Sequence, residues 1–86
     1  MPVKTTTTWI SLEDKKREPP QNHRIKWLTE QAKLGKLLTP INEQSDDLIV
    51  TQTWVDQAAV DSYLAYMQRS LGIFQIPSPT ITVESV

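Results

Sequence analysis

Apolar and polar positions alternate most clearly between Asp47 and Gly72. Leu48-Ile49-Val50-Thr51-Gln52-Thr53-Trp54-Val55 is rich in β-branched residues and tryptophan, which suit a pleated, partly buried surface. Leu48, Val50, Gln52 and Trp54 point one way, and Ile49, Thr51, Thr53 and Val55 the other. Apolar groups on both sides predict an interior strand. Asp56 follows, with a short carboxylate able to cap a helix at the positive end of its dipole. Val60, Tyr63, Leu64, Met67 and Leu71 then recur on one helical face. Gly72 predicts the end of that helix, as a residue free to take a left-handed turn.

The rest of the chain gives weaker versions of these signals. Met1 to Lys4 is expected to be a loose end. Thr5 to Leu12 predicts a strand, with four threonines and then Trp9, Ile10 and Leu12 to bury. Glu13 to Pro20 is a charged loop ended by two prolines. Asn22 to Leu34 predicts a helix, which the tolerance of proline in a first turn allows to start at Pro20. Its apolar stripe is Ile25, Leu28 and Ala32, with Trp27 and Leu34 beside it. Arg24, Lys26, Lys33 and Lys36 are assigned to the outer side, and Gly35 to the end. Leu37 to Gln44 predicts an edge strand, since Pro40 cannot donate to a ladder. Ser45-Asp46-Asp47 supplies a turn. Beyond Pro77-Ser78-Pro79, Thr80 to Val86 alternates as a last strand.

Strand, helix, strand, strand, helix, strand is the order of a ferredoxin-like α+β fold, βαββαβ. Right-handed crossovers then predict a four-stranded antiparallel sheet of order 4-1-3-2 with two helices on one face, in a single domain over residues 1–86. The uncovered face would carry at least one large apolar side chain, and such a patch marks an interface. The expectation is a homodimer formed face to face, with a further protein partner as the alternative occupant.

Composition narrows the chemistry. A domain of 86 residues buries only roughly 60% of its unfolded surface, and with no cysteine, association is the remaining common support. The net charge of −1 argues against nucleic-acid or membrane-surface binding by bulk electrostatics. Seven of the nine basic residues lie between Lys15 and Lys36, but a sheet without basic and aromatic rows does not resemble an RNA platform. No apolar run has the length of a membrane span and the N-terminus lacks a signal-peptide core, so a soluble cytoplasmic protein is expected. One histidine and scattered acids do not make a metal site, and no glycine-rich loop cradles a phosphate. No cofactor and no metal are expected. Lys15-Lys16-Arg17 is either an anion contact or a solvated loop tip, and the flanking acids favour the second.

The segment TQTWVDQAAVDSYLAYM resembles the third strand and second helix of the antibiotic-biosynthesis-monooxygenase-like domains of the dimeric α+β barrel superfamily. That pattern has an acid, one residue and a tryptophan on the strand, then a small-residue helix start and a histidine. Trp54 matches the tryptophan, and Asp56, Ala58 and Ala59 match the helix start. Gln52 stands in place of the acid and Tyr63 in place of the histidine. The resemblance implies a dimeric fold and, for an enzyme, cofactor-free oxygenation or isomerisation in an apolar pocket near Trp54. Trp54, Tyr63, His23 and Asn22 would then carry the site, with Gln52 a further polar group. Against this stand a lone histidine in a polar helix turn and three tryptophans that a core this small needs for filling. The reading leans to a non-catalytic interaction or assembly domain that uses its open sheet face.

Overall fold

The computed structural model describes all residues, Met1 to Val86. Threonines with high strand propensity build β1, Val3–Thr8, which begins inside the expected loose end. Trp9 leaves the sheet while its N–H donates to the Leu48 carbonyl at 2.9 Å. Ser11 then caps a short helix α1, Leu12–Lys15, its hydroxyl accepting from the Asp14 N–H at 3.2 Å. This single turn takes in Leu12, read as the end of the first strand, and the start of the stretch read as charged loop. Helix α2, Pro20–Lys33, opens on proline, and Gly35 follows it with φ of +75°. Strand β2 is Ile49–Trp54. Helix α3, Gln57–Phe74, starts where Asp56 accepts the Ala59 N–H at 2.9 Å. It passes through Gly72 and ends at Gln75, which takes the left-handed conformation in place of the glycine. Strand β3 is Thr80–Ser85.

The expected four-stranded ferredoxin-like sheet of order 4-1-3-2 does not form. The fold is α+β with a three-stranded antiparallel sheet of order β2-β1-β3. The segment Leu37 to Gln44 contributes one bridge, Leu37 to Trp54, and then departs. Side-chain chemistry ends the ladder there. The Thr39 hydroxyl accepts the Thr53 N–H at 3.1 Å, a position a backbone carbonyl would hold, and Pro40 has no N–H with which to continue. Beyond it the chain turns Glu43 fully inward, where it meets Arg24.

One face of the sheet is covered. Val3, Thr5 and Thr7 of β1 and Val50, Gln52 and Trp54 of β2 are buried beneath the helices. The core joins them to Leu28 of α2 and to Ala59, Val60, Tyr63, Met67 and Leu71 of α3. The α3 face follows its sequence periodicity. The α2 face does not: it buries Pro20, Arg24, Leu28 and Gln31, while Ala32 and Leu34 are exposed. Arg24, assigned to the outer side, points inward. The stripe is turned because Arg24 gains an ion pair, a carbonyl and an aromatic face inside.

Candidate interaction surface

The two edges of the sheet are treated differently. Beside β2, the Leu38 N–H donates to the Thr53 carbonyl at 2.8 Å and the Val55 N–H to the Lys36 carbonyl at 2.9 Å. That edge is therefore partly occupied. The outer edge of β3 pairs with nothing. Natural edge strands are commonly blunted by proline, lysine or a bulge. Thr80-Ile81-Thr82-Val83-Glu84-Ser85 has none of these and keeps an unbroken register with β1 from Thr80 to Ser85. Helix α3 packs on β1 and β2. Val83, which lies on the helix-covered side, is 42% exposed.

The open face is a threonine surface. The pairing sets Lys4, Thr53 and Glu84 in one row, Thr6, Thr51 and Thr82 in the next, and Thr8, Ile49 and Thr80 in the third. Ile49 is the one large apolar side chain among them. Lys4 and Glu84 form an exposed ion pair at 3.5 Å, a contact worth little. The sequence expectation of a large apolar group on this face rests on Ile49 alone. Trp9 and Ile10, read as part of the first strand, lie beyond the end of β1.

Of the residues named for an enzyme site, Trp54 and Tyr63 meet in the core and His23 and Asn22 stay apart from them. Trp54 and Tyr63 are fully buried, with ring centroids 4.9 Å apart. The Trp54 indole N–H donates to the Thr5 hydroxyl at 2.9 Å, and the Tyr63 and Thr7 hydroxyls lie 2.8 Å apart. Burial pushes the Tyr63 phenol well above its ordinary pKa, with the Thr7 hydrogen bond opposing only in part, so it is no base at neutral pH. Gln52 is fully buried and its amide has no partner in the protein. His23 and Asn22 are exposed on α2. The apolar pocket expected near Trp54 is filled core. The cavities lie on the outside, between α2 and α3, where only His23 of the four takes part.

Sequence reasoning missed an interior polar cluster. Arg24 Nε lies 3.0 Å from Glu43 Oε2, and its Nη2 donates to the Lys15 carbonyl at 2.6 Å. Its guanidinium also sits 4.6 Å from the centre of the Trp9 ring. The Lys15 ammonium donates to the Ser45 carbonyl and hydroxyl, both at 3.0 Å, and to the Asp47 carbonyl at 2.5 Å. Burial lowers the Lys15 pKa, with Glu43 opposing; burial raises that of Glu43, with Arg24 opposing. Outside, Lys16 pairs with Asp46 and holds that carboxylate below its ordinary pKa. Lys15 and Lys16 thus clamp α1 to the 42–47 loop, while Arg17 stays exposed. Asp46 and Asp47 serve the same clamp. The signal available in advance was the pairing of basic residues near 15–24 with acids near 43–47.

No group of side chains is placed to hold a metal ion, and no helix is long and apolar enough to cross a membrane. Comparison of the chain with protein-family models, curated proteins and solved structures returns no match.

Proposed function

We propose that this chain is a small non-catalytic assembly domain that joins a second copy of itself through the exposed sheet, with β3 as the pairing element. The open, unblunted edge of β3 carries this reading. Unpaired N–H and C=O groups in a row are a template for another strand. The strand is also complementary to itself. A two-fold axis through Thr82, normal to the sheet, sets Ile81 opposite Val83 of the second copy, both on the helix-covered side. Thr82 then meets Thr82, and Thr80 meets Glu84. Two three-stranded sheets become one of six strands. The interior supports a structural role: Lys15, Arg24, Glu43 and Tyr63, the groups with most chemical potential, hold the fold together.

Light scattering from about 1 μM to several hundred μM tests the reading, a span matched to weak dimers. A mass rising from monomer to dimer is expected. Val83→Lys places a charge at the proposed seam and should keep the protein monomeric. Thr51→Glu, on the open face, should not. A monomer at every concentration, or a dimer indifferent to Val83→Lys, overturns edge pairing. A dimer abolished by Thr51→Glu but not by Val83→Lys assigns the contact to the threonine face.

A further inference from the structure

A cleft runs along the outside of the molecule between α2 and α3. Its larger part has a volume of about 390 Å³ and is walled by Lys26, Trp27, Glu30 and Tyr66. A smaller part of about 130 Å³ continues toward Arg69 and Phe74. His23 and Tyr66 line both, so the two hollows adjoin, with Lys26 and Glu30 at the larger and Arg69 at the smaller. The larger part falls in the size range of small-ligand sites, about 300–1,000 Å³.

Its walls are aromatic and held in place. Trp27 and Tyr66 stack with ring centroids 4.6 Å apart and planes 11° from parallel. Trp27 also lies 6.2 Å from the buried Trp54 ring and 6.3 Å from the Tyr63 ring, so the core fixes its orientation. Phe74 stands 6.1 Å from His23 at the far end. Both Trp27 and Tyr66 remain partly exposed. The faces that Trp27 and Tyr66 turn to each other are occupied, and the part of each ring left exposed favours a flat π-bearing ligand over a flexible aliphatic one.

The charges in the cleft choose the sign of that ligand. Lys26 and Arg69 are exposed and neither takes part in any of the three ion pairs of the molecule. Lys26 and Glu30 are one helical turn apart, yet they form no ion pair with each other. Across the two adjoining hollows, Lys26 and Arg69 stand against the one carboxylate of Glu30, with the His23 imidazole as a further polar group. An aromatic cation would meet a net positive cleft. An aromatic anion would gain stacking and charge-assisted hydrogen bonds together.

We propose that the α2–α3 cleft binds a small planar aromatic anion, of the aromatic carboxylate class, with its ring against the Trp27–Tyr66 wall and its charge met by Lys26 and Arg69. This site is separate from β3 and stands or falls independently of self-association. The probes are 1-naphthoate, the cation 1-naphthylmethylammonium and the non-aromatic cyclohexanecarboxylate, each titrated into the 86-residue chain and followed by amide and indole chemical shifts. Saturable shifts at the Trp27 indole N–H and at Arg69 are expected with 1-naphthoate, with Kd near or below about 1 mM. The other two probes should bind at least about tenfold more weakly. Lys26→Glu combined with Arg69→Glu changes only exposed side chains and should weaken 1-naphthoate by about tenfold or more. No saturable shift up to about 5 mM, equal binding of the ammonium or the cyclohexane probe, or binding indifferent to the double charge reversal overturns the proposal.

Discussion

The two long helices lie side by side over the same sheet and are attached to it by different physics. Helix α3 buries Ala59, Val60, Tyr63, Met67 and Leu71, an apolar face closed by one phenol that finds the Thr7 hydroxyl. Helix α2 buries Leu28 together with Arg24 and Gln31. Its anchoring runs through Arg24 to Glu43 and Lys15, and through the Gln21 amide, which donates to the Glu43 carbonyl at 2.9 Å. Apolar burial is non-directional, and gains roughly in proportion to area. A buried ion pair gains little net free energy, because desolvation opposes it, but losing one partner leaves an uncompensated charge. Helix α3 is therefore held by surface area and α2 by specific partners.

The largest expected effects separate those two modes by their pH dependence. Met67 is 1% exposed, so Met67→Ala should cost about 2–5 kcal/mol through lost burial and a residual cavity. That loss involves no titrating group and should be similar near pH 5 and near pH 8, as a cavity cost is independent of protonation. Arg24→Met should cost about 3–5 kcal/mol near neutral pH, because it strands Glu43 as a buried carboxylate. The Glu43 pKa is raised by burial above its ordinary 4.5, so its neutral form is the one the fold favours. Its contribution to stability is present below 4.5 and is lost as the pH rises through its folded value. Without Arg24 the opposing attraction is gone, the folded value climbs further, and more is lost at neutral pH. Urea unfolding at both pH values should therefore show a smaller deficit for Arg24→Met in acid and a constant one for Met67→Ala. Equal deficits for Arg24→Met at both pH values would mean that Glu43 is not stranded and that α2 is attached otherwise.

The same contrast explains what could be read in advance. The face of α3 was legible because every buried position on it follows a helical spacing in apolar residues. That of α2 was not, because periodicity scores an arginine as outward, whereas Glu43, the Lys15 carbonyl and the Trp9 ring together turn it inward. The missing fourth strand has the same origin. Local propensity around Leu37 to Gln44 allows an edge strand, but the Thr39 hydroxyl and the inward pull on Glu43 are tertiary effects. Gln52 and Tyr63 stood out in the sequence as the two polar departures from the resembled pattern. Their packing into solid core, away from any cavity, depends on how tightly Trp54 fills the space between them. The cleft that does exist needs two helices to be set side by side before His23, Trp27, Tyr66 and Arg69 can be seen as neighbours.

The helix ends sharpen the comparison at the smallest scale. Each long helix has one glycine near its end, and sequence alone gives both the same role. Gly35 does take φ of +75°, where a Cβ is strained even though a methyl there would meet nothing within 4 Å. Gly72 instead lies inside α3, again with open space for a Cβ, while Gln75 makes the left-handed turn at φ of 55°. Glycine in a helix interior is unfavourable relative to alanine by roughly 0.5–1 kcal/mol, through the freedom it has in the unfolded chain. The two substitutions should therefore move stability in opposite directions. Gly72→Ala should gain about 0.5–1 kcal/mol, and Gly35→Ala should lose about 1 kcal/mol, in denaturant unfolding with unchanged m-value. A loss at Gly72 would place the end of α3 at the glycine and detach Ile73 and Phe74 from the helix. Phe74 would then no longer be held beside His23, and the far end of the α2–α3 cleft would lose its wall, so this small measurement also bears on the geometry of the binding site.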